Sequence, residues 1–132
     1  MKRPSRSALI VSDSAPLRRY AAAALESGGF ECCEAADGFE AMEHLRQHRF
    51  SLYVVDVDMA RTDGLAMFAI ALNGDGAGRA PPTIIGCTRS GGRLSSDSPW
   101  SDPAIFSVLL PTPFRPAELL EAAESALEPT LR

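Results

Sequence analysis

Short unbroken apolar runs alternate along this chain with stretches of helical periodicity. Ala8-Leu9-Ile10-Val11 is continuous enough for a strand covered on both faces. After Ser12-Asp13-Ser14, Pro16 suits the first turn of a helix, and Leu17, Tyr20, Ala21, Ala24 and Leu25 repeat at helical spacing until Gly28-Gly29. Residues 30–35 read as a second strand. Asp37 followed by Glu40 resembles a capping box, opening a helix with the stripe Phe39, Met42, Leu45. Ser51 to Val55 is a third strand, delivering Asp56 at its carboxyl end. Residues 64–72 read as a helix and Thr83 to Thr88 as a fourth strand, with a Gly/Pro-rich connection over 73–82 between them. Residues 105–110 form a fifth strand, and Leu120, Ala123 and Leu127 share one face of a last helix from about Pro116.

Strands alternating with helices imply a parallel sheet, because parallel neighbours need crossover connections. Five such units predict an α/β flavodoxin-like fold with strand order 2-1-3-4-5. The fourth helix, over 89–102, is expected to be irregular because Gly91, Gly92 and Pro99 interrupt it.

The 132 residues fit one domain, read as a basic tail over 1–7 and a folded unit over 8–129, with no output domain. A net charge of −4 argues against nucleic-acid binding, although Lys2, Arg3 and Arg6 cluster in the tail. No apolar run is long enough to cross a bilayer, and the tail lacks the core of a signal peptide, so a cytosolic chain is expected. Cys32, Cys33 and Cys87 have no metal spacing and read as small hydrophobes, the adjacent pair pointing to opposite faces of a strand.

In an open parallel sheet, ligands bind beyond the carboxyl ends of the strands. Ser12 and Asp13, Asp56, Thr88 and Thr112 all stand there. Two carboxylates with hydroxyls beside them suit a hard divalent cation such as Mg²⁺. His44 and His48 have metal spacing on a helix, but lie away from its apolar stripe and read as a solvated face. The Gly74–Gly78 run joins a helix to a strand at the far edge of the sheet and is no phosphate loop.

The segment from Asp56 through Asp63-Gly64 resembles the phosphoacceptor region of response-regulator receiver domains of the single-domain, chemotaxis-regulator-like kind. Ile84 to Thr88 resembles the strand ending in that family's switch residue, and Thr112-Pro113-Phe114 stands where the family has Lys-Pro-Phe. The resemblance implies a two-component phosphorelay protein rather than an enzyme. Asp56 would take phosphate from a sensor histidine kinase or a histidine phosphotransfer protein. Asp13, Asp56 and the backbone carbonyl of Asp58 would hold Mg²⁺, Thr88 would be the switch hydroxyl, and a downstream protein would read the result. It also implies a cis bond before Pro113.

The chain departs from the family pattern in several places. Ser12 replaces the first acidic residue, Thr112 the Lys, Ala60 a Pro, and Leu109 stands where an aromatic is common. Arg89 follows the switch residue, where small side chains are usual, and is a candidate compensating cation facing the transferred phosphate. Asp58 reads either as a second carboxylate offsetting Ser12 or as a solvated loop charge. Two other readings stand: a pseudo-receiver binding proteins without phosphorylation, and, from Asp56-Val57-Asp58, a haloacid-dehalogenase-type phosphatase. Ala60 argues against the latter, as that motif continues with Thr or Val.

Overall fold

The computed structural model describes residues 6–59, 64–73, 81–89, 100 and 105–128. Its elements are β1 (Ser7–Val11), α1 (Ala15–Glu26), β2 (Glu31–Ala35), α2 (Gly38–Gln47), β3 (Leu52–Asp56), α3 (Leu65–Asn73), β4 (Ile84–Thr88), β5 (Val108–Pro111) and α4 (Pro116–Leu127). All strand pairings are parallel, in the order β2-β1-β3-β4-β5. This is the topology the alternating pattern predicts. Most of the expected fourth helix, the Gly74–Gly78 run, Ala60 and Asp63 lie outside the described residues.

The strands' alternation assigns each side chain to one of two apolar layers. Leu9, Val11, Tyr53, Val55 and Ile84 face α2 and α3, and Ala8, Ile10, Leu52, Val54, Ile85 and Cys87 face α1 and α4. Cys33 packs on the first layer and Cys32 on the second, so the adjacent thiols straddle the sheet as expected. Trp100 fills the first layer beyond β4, stacked on Phe106 at 5.8 Å, with its indole N–H donating to the Leu65 carbonyl at 2.9 Å.

Helix ends follow the local sequence. The Ser14 hydroxyl accepts from the Leu17 N–H at the start of α1, and Pro16 sits in the first turn. The Asp37 carboxylate accepts from Glu40 N–H, while the Glu40 carboxylate accepts from Ala36 N–H rather than from the cap residue itself. This is a capping box displaced by one residue.

Two local expectations differ. Phe39 and Tyr20, read as members of buried stripes, are 50% and 42% exposed. Small residues take those places: Ala41 packs in the layer under α2, Gly38 lets the start of α2 touch the backbone at Gly64, and Ala21, Ala22 and Ala24 bring α1 onto the sheet. A close approach of backbone leaves no room for a ring. β1 starts at Ser7, at the end of the basic stretch. Arg6 donates to the Gly28 carbonyl at 2.8 Å and lies 4.5 Å over the Phe30 ring. Finally, His44 and His48 are not merely solvated: both rings pack against Phe50, at 6.3 and 4.3 Å.

At Gly38 a Cβ would lie 2.2 Å from the backbone carbon of Gly64, so the start of α2 touches the loop leading from β3 into α3 main chain to main chain. Gly64 itself has φ +79°, open at low cost only to glycine. Gly38→Ala should therefore cost about 3 kcal/mol, the upper range for overpacking. Gly29→Ala has a positive φ but open space around it, and should cost about 1–2 kcal/mol. Urea denaturation of the two variants checks the order.

Core burial also sets a pH dependence. The Cys87 thiol is pushed up from 9.0 to about 12, first by burial and then by Asp56 and Asp58. Burial, followed by Glu26, Cys33 and Glu34, pushes Cys32 to about 12 as well. Thiols raised on folding contribute stability that is full below pH 9.0 and is lost as pH rises towards about 12, where the unfolded chain alone would release the protons. The stability of the wild type should thus fall between about pH 9 and about pH 12, and fall less in Cys32→Ala/Cys87→Ala.

Candidate functional site

Register brings the chemistry together. Val11 pairs with Val55 across β1 and β3, so the next residues, Ser12 and Asp56, stand side by side at the carboxyl edge. Asp56 in turn pairs with Cys87, and Thr88 with Pro111, which sets Thr88 and Thr112 along the same edge.

Asp56 is only 5% exposed, and Ser12 and Thr88 are buried beside it. Burying a carboxylate demands donors. The Ser12 hydroxyl donates to Asp56 Oδ2 at 2.7 Å, and the Asp58 N–H donates to Oδ1 at 3.0 Å. Ser12 is itself held in place: its Oγ accepts from the Ser14 N–H at 3.0 Å, and its carbonyl accepts from Arg18 Nη1 at 2.7 Å. Arg18 is fixed in turn by Glu34, at 3.0 Å.

On the other side, the Thr88 carbonyl accepts from the Thr112 N–H at 2.8 Å and from the Thr112 hydroxyl at 3.3 Å. The Thr112–Pro113 bond is cis, the form the resemblance implies. Beyond it, the Tyr20 hydroxyl donates to the Phe114 carbonyl at 2.6 Å, which explains how Tyr20 is used outside the core.

Arg89 binds Asp58 at two points. Its backbone N–H donates to Asp58 Oδ2 and its Nη2 donates to the Asp58 carbonyl at 3.2 Å. The Asp58 carboxylate is therefore engaged by the end of β4, which neither sequence reading of that residue foresaw. Asp13 lies on the exposed rim next to Ser12.

Among the described residues no three His, Cys, Asp or Glu side chains gather into a metal-binding group. The oxygen donors at the edge, two carboxylates and a main-chain carbonyl, still have the hard chemistry that Mg²⁺ takes when water and phosphate complete its shell. One of them, the Asp58 carbonyl, carries the Arg89 guanidinium.

Two contributors were missed from sequence. Ser12 counted as a hydroxyl beside the carboxylates and as a lost charge, but not as the donor to Asp56, although strand register alone would have set it there. Arg18, one helical turn into α1, gave no signal, because its partners come from β1 and β2.

Comparison with known proteins bears on the family and the fold. A family model described as "Response regulator receiver domain" matches residues 8–91. Over 86 residues the chain is 31% identical to the CAI-1 autoinducer sensor kinase/phosphatase CqsS of Vibrio cholerae; the match takes in 65% of this chain and only 12% of that protein. Chemotaxis response regulator CheY4 of Vibrio cholerae superposes with a TM-score of 0.73 at 26% identity, covering 93% of this chain and 99% of its own. A response regulator from Chloroflexus aurantiacus shares the fold at TM-score 0.77 and 22% identity, covering 96% and 100%. The response regulator TrrA of Thermotoga maritima, solved in complex with Mg(2+)-BeF, shares it at 0.72 and 22%, covering 92% and 98%. With the five-stranded topology and the Asp56 edge described above, the family match places this chain among the response-regulator receiver domains of two-component signalling.

Proposed function

We propose that Asp56 is the phosphoacceptor of this domain and that the phosphorylated chain signals by contacts with another protein. One observation carries this reading: a buried carboxylate held at the carboxyl end of β3 by a neighbouring hydroxyl and an N–H, with Thr88 and Thr112 at the adjoining strand ends. The donor is a phosphohistidine on a sensor histidine kinase or phosphotransfer protein. A carboxylate oxygen of Asp56 forms the new bond to phosphorus, the phosphorus–nitrogen bond breaks, and the imidazole leaves. Such transfer needs placement and charge neutralisation more than covalent assistance. Ser12 and the Asp58 N–H fix the carboxylate for attack. The Thr88 hydroxyl donates to the arriving phosphoryl oxygens, as does that of Thr112 after turning from the Thr88 carbonyl. Asp13, Asp56 and the Asp58 carbonyl would hold Mg²⁺, which supplies positive charge to the phosphoryl oxygens when bound. The domain acts as a signalling partner in the cytoplasm rather than as a turnover enzyme.

A second reading has its own observation. Ser12 and Thr112 stand where the family carries an acid and a Lys, and the Ser12 hydroxyl occupies an Asp56 oxygen. Both favour a pseudo-receiver that binds its partner without phosphate.

Labelling separates the two. With acetyl phosphate or phosphoramidate and Mg²⁺, the wild type should gain one phosphoryl group by intact mass and Asp56→Asn none; an unlabelled wild type would favour the pseudo-receiver. Thr112→Lys should speed labelling by about tenfold, the rate equivalent of about 1.4 kcal/mol. That is a fraction of the roughly 4 kcal/mol of a unit charge pair at about 4 Å before desolvation. Ser12→Asp should tighten Mg²⁺ binding, measured by calorimetric titration, because it adds a third carboxylate to the set.

A further inference from the structure

Arg89 and Asp58 are 31 residues apart in sequence and bound at two points. The backbone contact engages the Asp58 carboxylate, and the side-chain contact engages the Asp58 carbonyl. That carbonyl is the oxygen the preceding section assigns to the divalent ion, so the present inference rests on that assignment. A guanidinium and a metal ion held at one carbonyl oxygen repel each other, so the two cations compete for it.

The guanidinium also has somewhere to go. Arg89 lines an open groove of about 590 Å³ together with Leu17, Tyr20, Thr112, Pro113 and Phe114. The side chain is exposed and already lines this groove, so the guanidinium can turn from Asp58 toward Thr112 within it. Meanwhile the backbone N–H bond to the carboxylate can persist, since it does not depend on the side chain's rotamer.

We propose that Arg89 is the resident cation of the metal-free site, and that a divalent ion binds only by displacing its guanidinium from the Asp58 carbonyl into the groove beside Thr112. Two states then exist in exchange, one closed by arginine and one opened by metal. By linkage, each cation weakens the other's hold on Asp58 by the same factor.

Arg89→Ala removes the guanidinium and keeps the backbone N–H bond, so the fold survives the test. Calorimetric titration with Mg²⁺ should show binding about tenfold tighter in Arg89→Ala than in the wild type. Saturating Mg²⁺ should also shift the Arg89 Nε–H NMR resonance of the wild type, identified by its loss in Arg89→Ala. Equal or weaker Mg²⁺ binding by Arg89→Ala overturns the proposal, as does an Arg89 resonance indifferent to Mg²⁺. Absence of Mg²⁺ binding in both proteins overturns it together with the metal assignment. The phosphoacceptor reading fails separately, if Asp56 is not labelled in either protein.

Discussion

A carboxylate taken out of water must recover its lost hydration from fixed donors, and Asp56 imposes that requirement on the whole carboxyl edge of the sheet. Its two donors come from different places. The Ser12 hydroxyl is available only because β1 lies beside β3 in the register that sets Val11 against Val55. The Asp58 N–H is available only because the chain turns immediately after the strand. Each donor is then braced: Ser12 through Arg18 and Glu34, Asp58 through Arg89. The parallel topology, the α1 cap and the contact between β3 and β4 ends all serve to keep one buried charge solvated by protein.

The departures from the receiver pattern are coupled in charge. Replacing an acid by Ser12 removes one negative charge, and replacing a Lys by Thr112 removes one positive charge, so the sum over the two positions is unchanged. What changes is geometry. Hydroxyls act at short range and with direction, whereas an acid and a Lys act on anything charged that enters the site. The edge is thus built for hydrogen bonding at Asp56, with the Arg18 guanidinium on the Ser12 carbonyl and that of Arg89 on Asp58.

The architecture was legible because it is written in periodicity. Two-sided burial of the strands gives unbroken apolar runs, and the crossover rule then leaves few topologies for five of them. Asp56, Thr88 and Thr112 were legible because strand ends are where such sheets present chemistry. The misreadings share a cause. Phe39 and Tyr20 sit at helical spacing, but spacing cannot tell which of two faces buries when small residues such as Ala41 or Ala22 allow close approach. Arg18 and Arg89 act on backbone carbonyls, which are invisible in any residue pattern.

Trp100, the chain's one tryptophan, is wedged between Phe68 and Phe106 with its indole nitrogen on the Leu65 carbonyl. It belongs entirely to the layer that faces α2 and α3. Tryptophan emission of this protein, excited selectively over tyrosine, is therefore a one-sided signal: it reports on the aromatic stack and the first turn of α3, while rearrangement of α1 against α4 passes unseen.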